Sequence, residues 1–404
     1  MKSLVVTGMS LVGPMGASTD AMLSALDEGR SGLRPASEID DLHFRLPFST
    51  WVGVVPGPLP PLLPEDRAYD TRLARLGMLA IREIRQAIER AIGRWGAKRI
   101  AILIGTSTGG LDATEAAYAN WCEYGFLPEQ FDLSKQHDFN AFGQYLRAHL
   151  GLKGPAYVIS TACSSSGKVH ASAARLIELG IVDAALVGGV DALCRMTLYG
   201  FRSLGILDEE RCRPFALERS GINIGEGAGF MLIERECEET KKEALGYFLG
   251  AGESADAYNM SSPEPSGRGA KEAMRRAMEM AGIDPSQVGL LIAHGTATPQ
   301  NDVVEAMAIE EVLGREVPVI STKAYTGHLL GAAGIASAIF ALHLARRRKA
   351  PPSLGSSPLD PAIRIRVLED FAHIAGPVVL ANAFAFGGSN VCLAFSSEAI
   401  RPCN

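Results

Sequence analysis

Val158-Ile159-Ser160-Thr161-Ala162-Cys163-Ser164-Ser165-Ser166-Gly167 marks the point where an apolar run stops and a helical pattern begins. A run of apolar and β-branched residues ending in small ones reads as a buried strand. The stretch after it, Val169 to Leu179, carries apolar residues at helical spacing. Cys163 is therefore expected at a strand-to-helix turn, facing the helix's unpaired N–H groups. Those groups and the helix dipole favour a thiolate, the reactive form of cysteine. Most cysteines are small buried core residues, so the nucleophile reading gains weight only from its surroundings.

Composition narrows the field. A chain of 404 residues, 47% hydrophobic and 21% charged, is long enough for two core-forming units. Its net charge of −6 gives no support to nucleic-acid binding, so an anionic partner would need a local basic patch. The cysteines at 122, 163, 194, 212, 237, 392 and 403 are odd in number and contain no Cys-x-x-Cys. Neither a disulfide framework nor a metal site is suggested, and the expected compartment is the cytoplasm. The amino terminus enters a strand-like run directly, without the features of a signal peptide. No segment approaches the length of a membrane span.

A loose internal duplication follows from three ordered pairs. Arg99–Gly110 resembles Val288–Pro299, aligning Gly105 with Gly295 at an offset of 190 residues. Ser160-Thr161 matches Ser321-Thr322, and Asn223–Ile233 matches Asn382–Cys392, each offset by about 160. The first half should then carry about 30 extra residues, within about 111–150. Helical patterns at Thr71–Ile92, Val169–Leu179, Gly269–Ala281 and Gly331–Arg348 alternate with apolar strands. That alternation predicts an α/β architecture with largely parallel strands. The expected units are residues 1–240, carrying the thiol, and 241–404, packed closely with no low-complexity linker.

The second half supplies two histidines in glycine-rich settings. His294 ends the apolar run Gly289–Ala293, and His328 lies in Thr326-Gly327-His328-Leu329-Leu330-Gly331. By the duplication, the His328 loop occupies the place of the Cys163 loop. A lone histidine at a strand end is more often a structural hydrogen-bonder than a catalyst. A thiol, two histidines and Lys323 at equivalent ends of a twofold arrangement make a candidate constellation. Zinc binding by the two histidines is a poor rival, since further ligands at usual spacings are lacking.

These motifs together resemble the β-ketoacyl-acyl carrier protein synthases, elongating condensing enzymes of thiolase fold. The resemblance runs through Val5–Gly16, Gly105–Gly110, Ser160–Ser166, Arg213-Pro214-Phe215, Gly225–Gly229, both histidine motifs and Asn382–Asn390. It implies two pseudo-duplicated halves packed as a five-layered αβαβα sandwich, with no cofactor and no metal. It also implies that Cys163 accepts an acyl group from a thioester, with the N–H groups of Cys163 and Phe386 forming an oxyanion hole. His294 and His328 would stabilise the enolate formed when a malonyl thioester loses carbon dioxide. Lys323 would support the site electrostatically, its alternative being a structural ion pair with Glu305. Asp302 and Glu305 match supporting acids expected to be structural. The implied partner is an acyl carrier protein delivering acyl and malonyl groups, and the implied assembly is a homodimer or a heterodimer with a related subunit.

Several residues depart from the family pattern. Ala385 replaces the usual glycine before the gating Phe386, restricting φ there. Asn301 replaces a glycine, Ala216 and Ser220 stand where acids are common, and Ser164-Ser165-Ser166 is unusually polar. Cys194–Phe201 and Gly221–Gly225 look more like enzymes of specialised pathways such as aryl polyene assembly. Arg72, Arg75, Arg202 and Arg346–Lys349 are the candidate docking residues for an acidic carrier. Two rivals remain: another thiolase-fold enzyme, either an initiating synthase, whose Cys-His-Asn pattern is not matched by the second histidine after Lys323, or a degradative thiolase, which would need a second cysteine where Cys392 lies too far along; and a non-catalytic partner subunit that sets chain length. The intact Cys163 argues against the latter.

Overall fold

Ten strands build the core of the computed structural model, which describes residues 4–39, 42 and 44–400. Cys403 lies outside the described residues. In the first half the strands are β1 (Leu4–Val12), β2 (Ile100–Gly105), β3 (Ala156–Ile159), β4 (Ala184–Asp191) and β5 (Gly227–Glu234). In the second they are β6 (Gly246–Ala255), β7 (Val288–Ile292), β8 (Pro318–Ile320), β9 (Val378–Ala385) and β10 (Ser389–Ser396). The sheet order is β3-β2-β4-β5-β1 in the first half and β8-β7-β9-β10-β6 in the second. Position for position the two orders are the same, and in each the fifth strand runs antiparallel to its neighbours. The two sets join where β1 pairs antiparallel with β6, and the short strand Arg366–Val367 extends the far edge beside β8.

Sequence dictates these elements locally. The run Ala184–Asp191 is buried at every position, as a strand covered on both faces must be. Thr71 caps the long helix α1 (Arg72–Trp95), its hydroxyl accepting from the Ala74 N–H at 3.0 Å. Leu73, Leu76, Ile81, Ile84, Ile88 and Ala91 form the buried stripe of α1. Helix α2 (Leu111–Tyr124) opens the segment between β2 and β3, which also holds helices at Leu133–Gln136 and Ala141–His149.

Five layers result. Helix α1 covers the outer face of the first sheet at β1, β4 and β5, and α4 (Arg268–Ala281) covers β6 and β10 of the second, with α5 (Pro299–Leu313) beside it. Between the sheets lie α3 (Ser165–Glu178) and α6 (Ala333–Arg347), each touching strands of both halves. They cross closely: a methyl placed on Gly334 would lie 2.4 Å from the Gly167 backbone nitrogen, and Ser166 Oγ accepts from the Ile335 N–H at 2.8 Å. A side chain at 334 would force the helices apart, a strain of about 1–3 kcal/mol for overpacking of this kind.

The duplication read from sequence has one misregistered pair. Gly105 ends the second strand of its half and Gly295 follows that of the other, and Thr161 and Thr322 follow the third. Asn382, however, lies inside β9, whereas Asn223 precedes β5. Glycine-rich turns at both places gave matching letters to non-equivalent positions.

His170 is buried in the middle layer between Phe248 and Phe395, at ring separations of 5.7 and 6.0 Å. Its Nδ1 lies 2.9 Å from the Ser166 carbonyl oxygen. Burial pushes its pKa down to about 4, so the unfolded chain binds a proton that the folded one refuses. Stability is thus expected to fall as pH drops from about 6.5 towards 4, by roughly 2 kcal/mol at pH 5 from this group alone. Urea titrations at pH 7 and pH 5 should show a smaller acid loss for His170→Leu than for the parent. An equal loss in both would show that His170 does not carry the acid limb.

Candidate active site

Cys163 sits at the end of β3, immediately before α3, at the predicted turn. Ala162 adopts φ +50°, a conformation few non-glycine residues take, and turns the chain so sharply that the thiol faces inward. Ser165 holds this turn, its hydroxyl accepting from the Thr161 N–H at 2.9 Å and donating to the Ala162 carbonyl at 2.5 Å. The polar serine run is therefore accounted for locally: Ser165 fixes the elbow, and Ser166 ties α3 to α6.

Cys163, His294, His328 and Phe386 line one cavity of about 420 Å³. The rings of His294 and His328 lie 5.4 Å apart, nearly perpendicular at 81°. Phe384 packs 5.9 Å from His294, and Phe386 packs 6.0 Å from Phe201. The backbone N–H groups of Cys163 and Phe386 both act to lower the pKa of the Cys163 thiol. Ala385 is accommodated in strand register opposite Ser389, and the positive φ falls on Gly387 and Gly388 at the hairpin turn.

Electrostatics correct one expectation. Burial pushes the Cys163 thiol up to about 12, outweighing the pull of Lys323 and of the two N–H groups. The resting thiol is thus protonated, contrary to the thiolate expected from the helix terminus alone. Burial also holds His294 and His328 well below the usual imidazole range, helped by the charge of Lys323. Both rings are neutral. The Leu330 N–H donates to His328 Nδ1 at 3.2 Å, so Nε2 carries the proton. That Nε2, like Nδ1 of His294, is buried without a hydrogen-bond partner among the described residues.

Lys323 is buried, and burial lowers its pKa against the support of Glu305 and Cys163. Glu305 is not a direct ion-pair partner of Lys323 among the described residues. Its oxygens accept from the backbone N–H groups of His294 and Gly295, both at 2.8 Å, and from Asn382 Nδ2 at 3.0 Å. Asp302 accepts from the N–H of Phe215 at 2.8 Å and of Ala297 at 3.2 Å. These acids hold the His294 loop. Asn301 donates to Asp302 at 3.1 Å, and Ser220 donates to Asp208 at 2.7 Å. His294 and His328 are joined by no third metal ligand, since no cluster of three or more His, Cys, Asp or Glu suited to a metal occurs among the described residues.

Two docking candidates are otherwise engaged, and a third lies far from the cavity. Arg72 pairs with buried Glu226, its Nε at 2.7 Å, and Arg75 pairs bidentately with Asp70 at 2.7 Å. Arg346–Lys349 lies at the far end of α6, about 20 Å from the cavity-side terminus at 1.5 Å per residue. Arg202 stands beside the cavity-lining Phe201, stacked 4.4 Å from the Phe48 ring.

Sequence reasoning missed Asp191, Thr296, Thr298 and the 259–264 loop. The last three line the cavity. Asp191 had one signal: a carboxylate closing an otherwise apolar run.

The repeated strand order and the enclosed thiol define a thiolase-like α/β enzyme. Residues 1–239 match the family model for the beta-ketoacyl synthase N-terminal domain, and residues 245–357 that for the C-terminal domain. The chain is 32% identical over 410 residues to 3-oxoacyl-[acyl-carrier-protein] synthase 2 of Synechocystis sp., covering 98% of each. To the protein of the same name from Vibrio cholerae it is 31% identical over 422 residues, covering 98% of this chain and 99% of the relative. Among solved structures it superposes, at TM-score 0.90 and 34% identity over 98% of each chain, on a chain of the ketosynthase (ApeO) in complex with its chain length factor (ApeC) from Xenorhabdus doucetiae. A beta-ketoacyl synthase from Burkholderia phymatum matches at TM-score 0.86 and 27% identity, over 99% of this chain and 100% of that one. The chain belongs to the beta-ketoacyl synthase family, a condensing acyltransferase of fatty acid or polyketide synthesis. No helix among the described residues is long and apolar enough to cross a membrane.

The protonated thiol makes a measurable difference. Alkylation of Cys163 by iodoacetamide should rise about tenfold per pH unit from 7 to 10 without levelling off, because the thiolate fraction keeps growing below a pKa near 12. A plateau near pH 8 would contradict a desolvated, neutral thiol.

Proposed function

We propose that this protein catalyses decarboxylative Claisen condensation between an acyl thioester and a malonyl thioester, both delivered on an acyl carrier protein, through an acyl-Cys163 intermediate. The observation that carries this reading is the single cavity that Cys163, Phe386, His294 and His328 line together, with the two imidazoles 5.4 Å apart. In the first step the Cys163 sulfur attacks the acyl carbonyl, the carrier thiol leaves, and the proton of Cys163 passes to it. The N–H groups of Cys163 and Phe386 hold the oxyanion as it forms. In the second step the malonyl thioester loses carbon dioxide, and the developing enolate oxygen is met by N–H donors from His294 and His328. Neutral rings suit this role, since each can offer a proton to share without having one to lose at neutral pH. The enolate carbon attacks the acyl group, and the Cys163 thiolate leaves. Lys323 supplies positive potential to both anionic stages. Asp302 and Glu305 act through the backbone of the His294 loop.

Residues 1–240 and 241–404 are read as the two thiolase-like halves, the first supplying the nucleophile and the second the histidines and lysine. A dimer is supported by the open edge of β3, where Tyr157 is exposed, and by exposed Tyr118, Trp121, Tyr124 and Phe126 nearby in the chain. Its partner is a second copy or a related subunit; the Xenorhabdus structure is a ketosynthase with a chain length factor. Free buried cysteines fit a cytoplasmic setting. An unsaturated chain, as in aryl polyene assembly, would meet aromatic lining from Phe201, Phe384 and Phe386.

Incubation with an acyl carrier thioester, followed by intact mass measurement, should show one acyl group added to the parent and none to Cys163→Ala. An unmodified parent protein would sink the enzymatic reading. Transfer from saturated carriers alone, with polyene carriers untouched, would remove the unsaturated-substrate reading.

A further inference from the structure

Asp191 closes β4 as a fully buried carboxylate, and its partners are hydroxyls and backbone N–H groups rather than a cation. Oδ1 accepts from Thr106 Oγ1 at 2.6 Å, from the Thr108 N–H at 2.9 Å and from Thr108 Oγ1 at 2.7 Å. The Ser107 N–H lies 3.0 Å from both oxygens, and Ser107 Oγ donates to Oδ2 at 2.8 Å. All of these come from the first half. The remaining donor does not: the Gly331 N–H reaches Oδ2 at 2.5 Å from the second half, and also lies 3.0 Å from Ser107 Oγ.

Gly331 follows directly on Leu330, whose N–H donates to His328 Nδ1. Leu330 stands at φ +52°, a conformation a bulky side chain adopts only when its surroundings impose it. The carboxylate therefore grips the turn whose next N–H back along the chain selects the His328 tautomer. Its other hand holds the loop after Gly105, and Gly105 lies so close to the nucleophile's helix that a methyl there would sit 2.3 Å from the Ser166 nitrogen. One side chain thus spans from the helix behind Cys163 to the turn behind His328.

We propose that Asp191 is a positioning residue for the condensing reaction: by anchoring Gly331 it holds His328 with Nε2 protonated and directed into the cavity. Asp191 touches neither substrate nor thiol. It acts through the Leu330 N–H, so its loss should impair the step that uses His328 more than the step that uses Cys163. The asparagine variant keeps the shape of the side chain but presents an amide where a carboxylate oxygen accepted, so the donors can no longer all be satisfied.

This inference rests on the condensing reading, and separate half-reactions distinguish their failures. In Asp191→Asn, carbon dioxide release from a malonyl thioester should fall roughly ten- to a hundredfold, as for a misplaced catalytic group, while acyl loading of Cys163 stays within about threefold. The 15N spectrum of labelled histidine, with His328 assigned by comparison with His328→Ala, should show loss of the single Nε2–H form. If Asp191→Asn does not fold, Ser107→Ala removes the hydroxyl shared by Asp191 and Gly331, and should lower decarboxylation about threefold with acyl loading unchanged. Unchanged decarboxylation and an unchanged His328 signal would overturn the proposal. So would equal losses in both half-reactions. Failure of the parent to load an acyl group would instead overturn the condensing reading itself.

Discussion

The crossing of α3 and α6 at Gly167 and Gly334 is the constraint on which the site depends. Each helix follows the third strand of its half, Cys163 lying two residues before α3 and His328 in the turn that leads into α6. The absence of a side chain at Gly334 lets the backbones approach, Gly167 leaves room for Val391 of β10, and the Ser166–Ile335 hydrogen bond locks the crossing. Because the halves share one strand order, the constraint acts on both termini at once. The thiol and the imidazole then meet from opposite halves in one cavity. Precision of this kind is what catalysis by proximity requires, since a displacement of an ångström is costly.

Within that frame the site is prepared for charge that is not yet there. Its thiol is protonated and its imidazoles are neutral, while Lys323 is buried among them. Among the described residues no carboxylate pairs directly with the lysine, although Glu305 and Asp302 act on it at longer range. Both the tetrahedral oxyanion and the enolate would arrive as anions in a cavity lined by the two imidazoles, with Lys323 close behind. Donors fixed in advance stabilise such charge more than water that must reorganise. The acids that might have quenched this potential, Asp302 and Glu305, are spent on backbone N–H groups and so hold the His294 loop in place.

Much of this was legible in sequence where the information is local. The turn at Cys163, the two histidine loops and the equivalence of the third strands each depend on a few neighbouring residues. What escaped depends on the assembled fold. Asp191 finds its donors 83 to 140 residues away along the chain, so nothing near Val190 announces them. Arg72 reads as a free surface charge until Glu226, 154 residues distant, is seen to hold it. The thiol's protonation was misjudged for the same reason. A helix terminus is visible in sequence, but the desolvation that overrides it exists only once both sheets have closed over the site. Matching glycine-rich letters at Asn223 and Asn382 misled because turns of one composition serve different strands.

The most direct measurement is the structure of the protein after reaction with an acyl thioester, with the chain trapped on sulfur. The acyl carbon should be bonded to Cys163 Sγ, and its carbonyl oxygen should accept from the N–H groups of Cys163 and Phe386. The two imidazoles should remain free, facing the open part of the cavity. An acyl group on any other residue, or a carbonyl turned away from both N–H groups, would contradict the condensing mechanism at its first step.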